Sequence, residues 1–334
     1  MFAWLREKER QAADRGRTGA GPSLLVLGDP AFGRLAGGAL HGPGRAAGAE
    51  SFAPLPGTRA EVSAIARLFA HPQQLLGSEA SERRLGELAA RGLRDFRFVH
   101  LATHAVVDSK HPMQSALILA QDDLPGPPGP ARAADKPRGG RLTAAEILRT
   151  WDLDADLVTL SACETGLGQY SGGEGYLGFS QALFLAGARS LVLSLWEVDD
   201  TATALLMKRF YENLLGRRPG LERPLSKVAA LQEAKHWLRQ LTDEEVAQLQ
   251  AQFPKEARSQ IHQGGASASP ASGHPYEHPY YWSAFILIGE PGEPTAEPTR
   301  PIDAEPIPIL LPLLLALTGL GVVQVVRRRA ARAA

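Results

Sequence analysis

The chain has 334 residues, 44% of them hydrophobic, so it is long enough to bury a full core as one large domain or two smaller ones. Its 36 basic and 36 acidic residues give a formal net charge of zero, which argues against a nucleic-acid or polyanion partner. A single cysteine excludes an internal disulfide framework and fits a reducing compartment.

Strands and helices are predicted to alternate from the start of the chain. Residues 1–21 are charged and lack an apolar stretch of signal-peptide length, so they are interpreted as an N-terminal stub. The apolar run Leu24–Gly28 predicts a first buried strand. Thr58 is then expected to cap a helix, with Glu61 at the capping-box position, and a second helix is expected over residues 78–92.

The alternation continues to residue 289. Further strands are predicted at 96–102, 116–120, 157–163, 189–196 and 282–289. Helices are predicted from Leu142, with Glu146 at the capping-box position, over 176–188, from Asp200 or Thr201 to about 215, and over 225–241. This order argues for an α/β fold with a doubly wound, mainly parallel sheet flanked by helices.

The strand that begins at Leu157 ends at Cys163, and a glycine-rich turn through Gly166, Gly168 and Gly172 follows. Open α/β sheets place their reactive groups at the carboxyl ends of strands, which makes Cys163 a candidate nucleophile. The alternative is that a lone cysteine is a small buried hydrophobic residue.

His104 also ends a predicted strand, so adjacent parallel strands would present it at the same edge as Cys163. The alternative is a packed histidine at the end of a strand. His100 lies about 13 Å further back along that strand, and the histidines at 111, 274 and 278 fall in loops and Pro-rich turns. With one cysteine and no carboxylate–histidine pair on a helix, the sequence gives no ligand set for a structural zinc site.

Seven sequence blocks resemble, in order, the CHAT domain family of the caspase-like cysteine peptidase clan, which is related to separases and caspases. They are His100–His104, Leu142–Ile147, Leu160–Gly166, Gly172–Gly175, Ala186–Arg189, Ser194–Asp200 and His278–Trp282. The resemblance implies a caspase-like domain over residues 22–290 and a cysteine endopeptidase that needs no metal or organic cofactor. It also implies a protein substrate and a regulatory partner such as a helical-repeat protein, because family members often carry helical repeats before this domain.

In this interpretation Cys163 is the nucleophile and His104 is the general base and then the general acid. The oxyanion hole is expected from the backbone N–H groups of Cys163 and Ala105. The family usually has glycine after the histidine, and alanine tolerates a positive φ poorly. The alternative is therefore a catalytically weak or inactive scaffold module in a signalling or defence pathway.

Three residues are expected to contact the substrate. Glu164 adjoins the thiol and either orients its loop or lines the primary pocket, while Trp196 would wall that pocket. Asp199, with Asp200, would receive a basic P1 side chain. The alternatives are core packing for Trp196 and helix capping for Asp200. A nucleotide-binding domain is a third interpretation, but no Lys or Ser/Thr stands at the spacing that a phosphate loop at Gly172–Gly175 requires.

The sequence after the domain predicts a membrane tether. Residues 291–306 form a Pro/Glu-rich linker, residues 307–326 are uncharged and would make a helix of about 30 Å, and residues 327–334 form a basic tail. We expect one transmembrane helix. The basic tail favours a cytoplasmic C-terminus, whereas the reduced cysteine, the lack of an N-terminal signal and a late span favour a cytoplasmic catalytic domain, which is our expectation.

Overall fold

The computed structural model describes residues 23–32, 52–108, 110–120, 140–161, 176–196, 199–253 and 273–292, without the side chains of Pro56, Tyr176 and Leu177. The chain divides into two compact units, Met1–Thr295 and Ala296–Ala334. All described residues belong to the first unit.

Nine strands lie in the described ranges. In chain order, β1 to β9 are Leu24–Pro30, Gln73–Gly77, Phe98–Ala102, Ala105–Val106, Ala116–Ile118, Arg141–Thr143, Leu157–Ser161, Ser190–Ser194 and Phe285–Gly289. Six of them form the main sheet in the spatial order β2, β1, β3, β7, β8, β9, and β4, β5 and β6 form a small antiparallel sheet. The main sheet is parallel from β2 to β8, and only β9 runs antiparallel. The predicted mainly parallel α/β sheet is confirmed.

Seven α-helices lie in the described ranges. In chain order, α1 to α7 are Pro56–Ala66, Glu82–Arg91, Ala144–Thr150, Tyr176–Ala186, Asp200–Leu214, Lys227–Leu238 and Asp243–Gln250. Helices α1, α5 and α6 cover one face of the main sheet, and α2, α3 and α4 cover the other. Leu24 and Val26 of β1 accordingly enter the first core, and Leu25 and Leu27 enter the second. Burial on both faces explains why these strands are continuous apolar runs.

The start of α1 differs from the prediction. The helix begins at Pro56, and proline is well suited to the first helical position because its missing N–H needs no partner there. Thr58 is therefore inside the helix, where its hydroxyl accepts from Asp29 N at 2.7 Å and donates to Leu55 O at 2.7 Å. Glu61 is buried and contacts His100. The predicted capping box at Thr58 and Glu61 is wrong.

Two other predicted helix starts have different outcomes. At α3, Thr143 accepts from Glu146 N, and the Glu146 carboxylate accepts from Thr143 N at 2.9 Å, so the predicted capping box is confirmed. At α5 the N-cap is Asp199, whose carboxylate accepts from Ala202 N at 2.9 Å. Capping by Asp200 or Thr201 is therefore wrong by one or two residues.

Candidate active site

The carboxyl ends of β3 and β7 lie side by side at one edge of the main sheet. The two strands are parallel neighbours, and Ala102 pairs with Ser161 at their last residues. His104 is the second residue after β3, and Cys163 is the second residue after β7. Cys163 and Glu164 lie outside the described residues.

The imidazole of His104 is buried, with 4% of its surface exposed, and its orientation is set by a backbone carbonyl. Its Nε2 lies 2.8 Å from Ala53 O. A carbonyl oxygen only accepts, so Nε2 carries the proton and the neutral ring accepts a proton at Nδ1. The backbone of His104 is also held, because its carbonyl accepts from Ile118 N at 2.8 Å.

Two phenylalanine rings, from Phe32 and Phe52, pack against His104, and we call them the aromatic clamp. Their centroids lie 5.3 Å and 5.5 Å from that of the imidazole, at tilts of 40° and 36°. Phe52 immediately precedes Ala53, whose carbonyl holds Nε2. Neither ring was predicted, since residues 32, 52 and 104 are far apart in the chain.

Ala105 has no unusual backbone conformation. It lies in β4 and pairs with Leu117 of β5. Among the described residues, the only non-glycine with a positive φ is Asp29, at 46°. Alanine in place of the usual glycine therefore causes no backbone strain at this position.

The other predicted substrate contacts lie beyond the end of β8. Trp196 is half-buried, and its Nε1 donates to Tyr280 O at 3.0 Å. Asp199 is exposed and caps α5. Burial raises the pKa of Tyr276, and the negative charge of Asp199 raises it further. Asp199 therefore contacts the start of α5 and Tyr276, and the adjacent Asp200 lines a pocket.

That pocket has a volume of about 20 Å³ and lies beside the ends of β3 and β7. It is lined by Leu55, Gly57, Thr58, Glu61, Thr103, Ser161, Asp200 and Thr203. Its space fits about one water-sized group. Gly57 allows α1 and α5 to meet here, because a Cβ at this glycine would lie 2.2 Å from Asp200 Cβ.

A buried polar chain extends from the pocket into the core. Glu61 Oε1 lies 2.9 Å from His100 Nε2, and both side chains are almost fully buried. His100 Nδ1 lies 3.4 Å from the Tyr211 hydroxyl, which is 3.1 Å from Thr159 Oγ1. The two ring nitrogens of His100 contact Glu61 and Tyr211 in the core and do not contact His104. We therefore assign His100 a structural role in the core. A glutamate on the apolar stripe of a helix was the sequence signal for this chain of contacts.

Within the described ranges, no group of three or more His, Cys, Asp or Glu side chains is arranged to hold a metal ion. Of the helices in those ranges, none is both long and apolar enough to cross a membrane. The predicted span at 307–326 lies outside the described residues.

The family model of the CHAT domain matches residues 3–290, most of the chain. The chain belongs to the CHAT domain family. This confirms the family that the seven sequence blocks indicated.

No curated protein matches this CHAT domain protein. Among solved structures it is similar to the Arg-specific cysteine proteinase gingipain R, with 8% sequence identity and a TM-score of 0.37. The match covers 80% of this chain and 46% of the gingipain chain, so the CHAT protein spans less than half the length of that structure.

Proposed function

We propose that this CHAT protein is a cysteine endopeptidase that cleaves a protein substrate with Cys163 as nucleophile and His104 as its proton acceptor and donor. The carrying observation is the register of β3 and β7, in which Ala102 and Ser161 are paired and each precedes its candidate residue by two positions. A thiol peptidase needs a thiolate, an acid for the leaving amine and donors for the oxyanion, and this edge of the sheet can supply all three.

Chain connectivity supports the pairing. Neighbouring strands lie about 4.8 Å apart. Two peptide units span at most about 7.6 Å between Cα atoms, so Cys163 remains within that distance of Ser161. This distance is compatible with the proposed pairing of Cys163 with His104.

The orientation of His104 defines its role in the proposed mechanism. Because Nε2 donates to Ala53 O, Nδ1 accepts the proton from the Cys163 thiol, and the thiolate attacks the substrate carbonyl. The backbone N–H groups of Cys163 and Ala105 donate to the oxyanion. His104 then protonates the leaving amine from Nδ1, and it later accepts a proton from the water that hydrolyses the acyl-enzyme.

Glu164, Trp196 and Asp199 are the substrate-contacting residues of this proposal. The half-buried indole of Trp196 and the exposed carboxylate of Asp199 both follow the carboxyl end of β8, on the same side of the sheet as His104. Asp200 lines a pocket that holds only about one water-sized group, so the exposed Asp199 is the carboxylate that would receive a basic P1 side chain. The scaffold alternative depended on strain at Ala105, and the extended backbone of β4 removes that argument.

The proposal includes a membrane tether through residues 307–326, with a cytoplasmic catalytic domain and a helical-repeat protein as regulatory partner. Liposome flotation of the full chain beside a chain ending at residue 300 tests the tether. Equal flotation of the two chains would refute the membrane tether. Protease protection of the domain in intact cells then tests the orientation.

The test of the peptidase uses wild type, Cys163→Ala, His104→Ala and His111→Ala with a diverse peptide library and sequencing of new N-termini. His111 is a matched control because its side chain is exposed on the segment that follows the same strand. Cleavage by wild type and His111→Ala, lost in the other two variants, is the expected result. Cleavage that survives Cys163→Ala would refute the proposal.

If folded wild type cleaves nothing, alkylation of Cys163 separates a latent enzyme from a scaffold. Rapid alkylation that depends on His104 indicates an enzyme awaiting its partner. Slow alkylation at the same rate in wild type and His104→Ala indicates a scaffold.

A further inference from the structure

We infer that Phe32 and Phe52, the aromatic clamp, are positioning residues that set the reactivity of the Cys163 thiol through His104. This inference rests on the proposed dyad. The two rings come from different parts of the chain, one after β1 and the other before α1, and their centroids lie 6.0 Å apart. Together with the imidazole they form a cluster of three rings.

Asp29, near the end of β1, connects the segment that carries Phe32 with helix α1. Asp29, the last residue but one of β1, has a φ of 46°, a conformation that is uncommon outside glycine, and the pairing of β1 with β2 is irregular there. Its N–H donates to Thr58 Oγ1 at 2.7 Å, and its carboxylate accepts from Arg59 Nε at 2.6 Å. Because both partners of Asp29 are in α1, the end of β1, which precedes Phe32, is joined to the helix that follows Phe52.

The chemistry of the dyad explains what such a clamp does. When the Cys163 S–H bond breaks, its proton forms a bond to Nδ1 of His104, and an imidazolium faces a thiolate. Burial disfavours a charged imidazole. The face of an aromatic ring attracts a cation that lies within about 6 Å of the ring centroid, and the centroid of the imidazole lies within this distance of both rings of the clamp. The clamp thus offsets the burial and fixes the ring plane while Ala53 O holds Nε2.

Several titratable side chains on the described elements around His104 are paired with one another, and Asp200 of α5 lines the pocket beside the ends of β3 and β7. Asp29 pairs with Arg59 between β1 and α1, and Glu61 pairs with His100 between α1 and β3. On the segment after β4, Asp108 pairs with the exposed His111. Neither ring of the clamp is a partner in these pairs, so we expect its replacement to leave them in place.

The experiment measures the pH dependence of iodoacetamide alkylation in the full chain by intact-mass spectrometry. The chain has one cysteine, so adducts that form on wild type and not on Cys163→Ala report on Cys163. The variants are Phe32→Leu, Phe52→Leu, the double leucine variant and Phe52→Tyr. Leucine keeps an apolar side chain without an aromatic face, and tyrosine keeps the ring. Phe69→Leu is the matched control, since Phe69 packs on Phe98 and Tyr211 in the core.

Each leucine substitution in the clamp is expected to raise the midpoint of the alkylation profile by about half a pH unit, which slows alkylation near neutral pH about threefold. Phe52→Tyr and Phe69→Leu are expected to keep the wild-type midpoint. Thermal unfolding confirms that each variant is folded.

An unchanged midpoint in the double leucine variant would overturn the inference while leaving the dyad intact. The same shift in Phe69→Leu would also overturn it, because the effect would then come from general loosening of the core. A wild-type profile that His104→Ala does not alter would overturn both the dyad and the clamp. The two failures are therefore distinguishable.

Discussion

Replacing Glu61 with leucine is expected to lower the free energy of unfolding by about 1–3 kcal/mol. Glu61 is 1% exposed, His100 is fully buried, and their side-chain atoms are 2.9 Å apart. Removing one partner of a buried ion pair costs about 3–5 kcal/mol, and leaving one neutral buried donor unsatisfied costs about 1–3 kcal/mol. The substitution leaves one buried polar atom of His100 without this partner and changes the volume little, so the range of about 1–3 kcal/mol applies. That is a large share of a typical domain's stability.

Urea unfolding monitored by circular dichroism measures this loss in Glu61→Leu, His100→Leu and the double variant. The double variant leaves no unpaired group in this contact, so its cost should fall below the sum of the single costs by about 1–3 kcal/mol. Glu87→Leu is the control, because Glu87 is an exposed carboxylate paired with arginine on α2, and such pairs contribute about 0–1 kcal/mol. A loss below about 1 kcal/mol in Glu61→Leu, or strict additivity, would refute the reasoning.

Burial alone would raise the pKa of Glu233, but hydrogen bonds from Arg209 and a neighbouring asparagine hold that pKa below its ordinary value. The contribution of Glu233 to the free energy of unfolding is therefore present above about pH 4.5 and is lost as the pH falls below it. As the pH is lowered, the free energy of unfolding should decrease less steeply in Glu233→Gln than in wild type. Parallel curves of the free energy of unfolding against pH would contradict this. Gly57→Ala should lower the melting temperature by several degrees, because its Cβ would lie 2.2 Å from Asp200 Cβ; an unchanged melting temperature would mean that α1 and α5 separate without cost. In the peptide-library assay, Asp199→Asn should reduce cleavage after Lys and Arg more than Asp200→Asn does, since Asp199 is exposed whereas Asp200 lines a pocket that holds only about one water-sized group. An unchanged P1 preference in both variants would contradict a carboxylate pocket.

The strands at the centre of the sheet could be predicted because burial on both faces requires apolar residues at every position. This holds for β1, β3, β7 and β8, whose residues are nearly all buried. The edge strand β2 was missed because it is only partly buried and begins with Gln73–Gln74. The predicted strand at 116–120 exists as β5, but no local pattern indicates that it pairs with β4 and β6 outside the main sheet.

The edge that carries the candidate site could be predicted for the same reason. His104 closely follows β3, which is apolar apart from His100, and parallel neighbours end at one edge. The contacts that orient its imidazole could not be predicted. Ala53 O and both rings of the aromatic clamp reach His104 through the end of β1 and the start of α1, and no sequence spacing encodes such long-range contacts.

The two predicted capping boxes show how one local pattern leads to different structures. Thr143 and Glu146 have this spacing at a true helix start and form the box. Thr58 and Glu61 have the same spacing, but Pro56 starts the helix two residues earlier, so Thr58 is already inside the first turn. Glu61 is then carried to the buried face of α1, beside His100. Proline at the first helical position was the signal that favoured the earlier start, and the contact of Glu61 with His100 follows from that start.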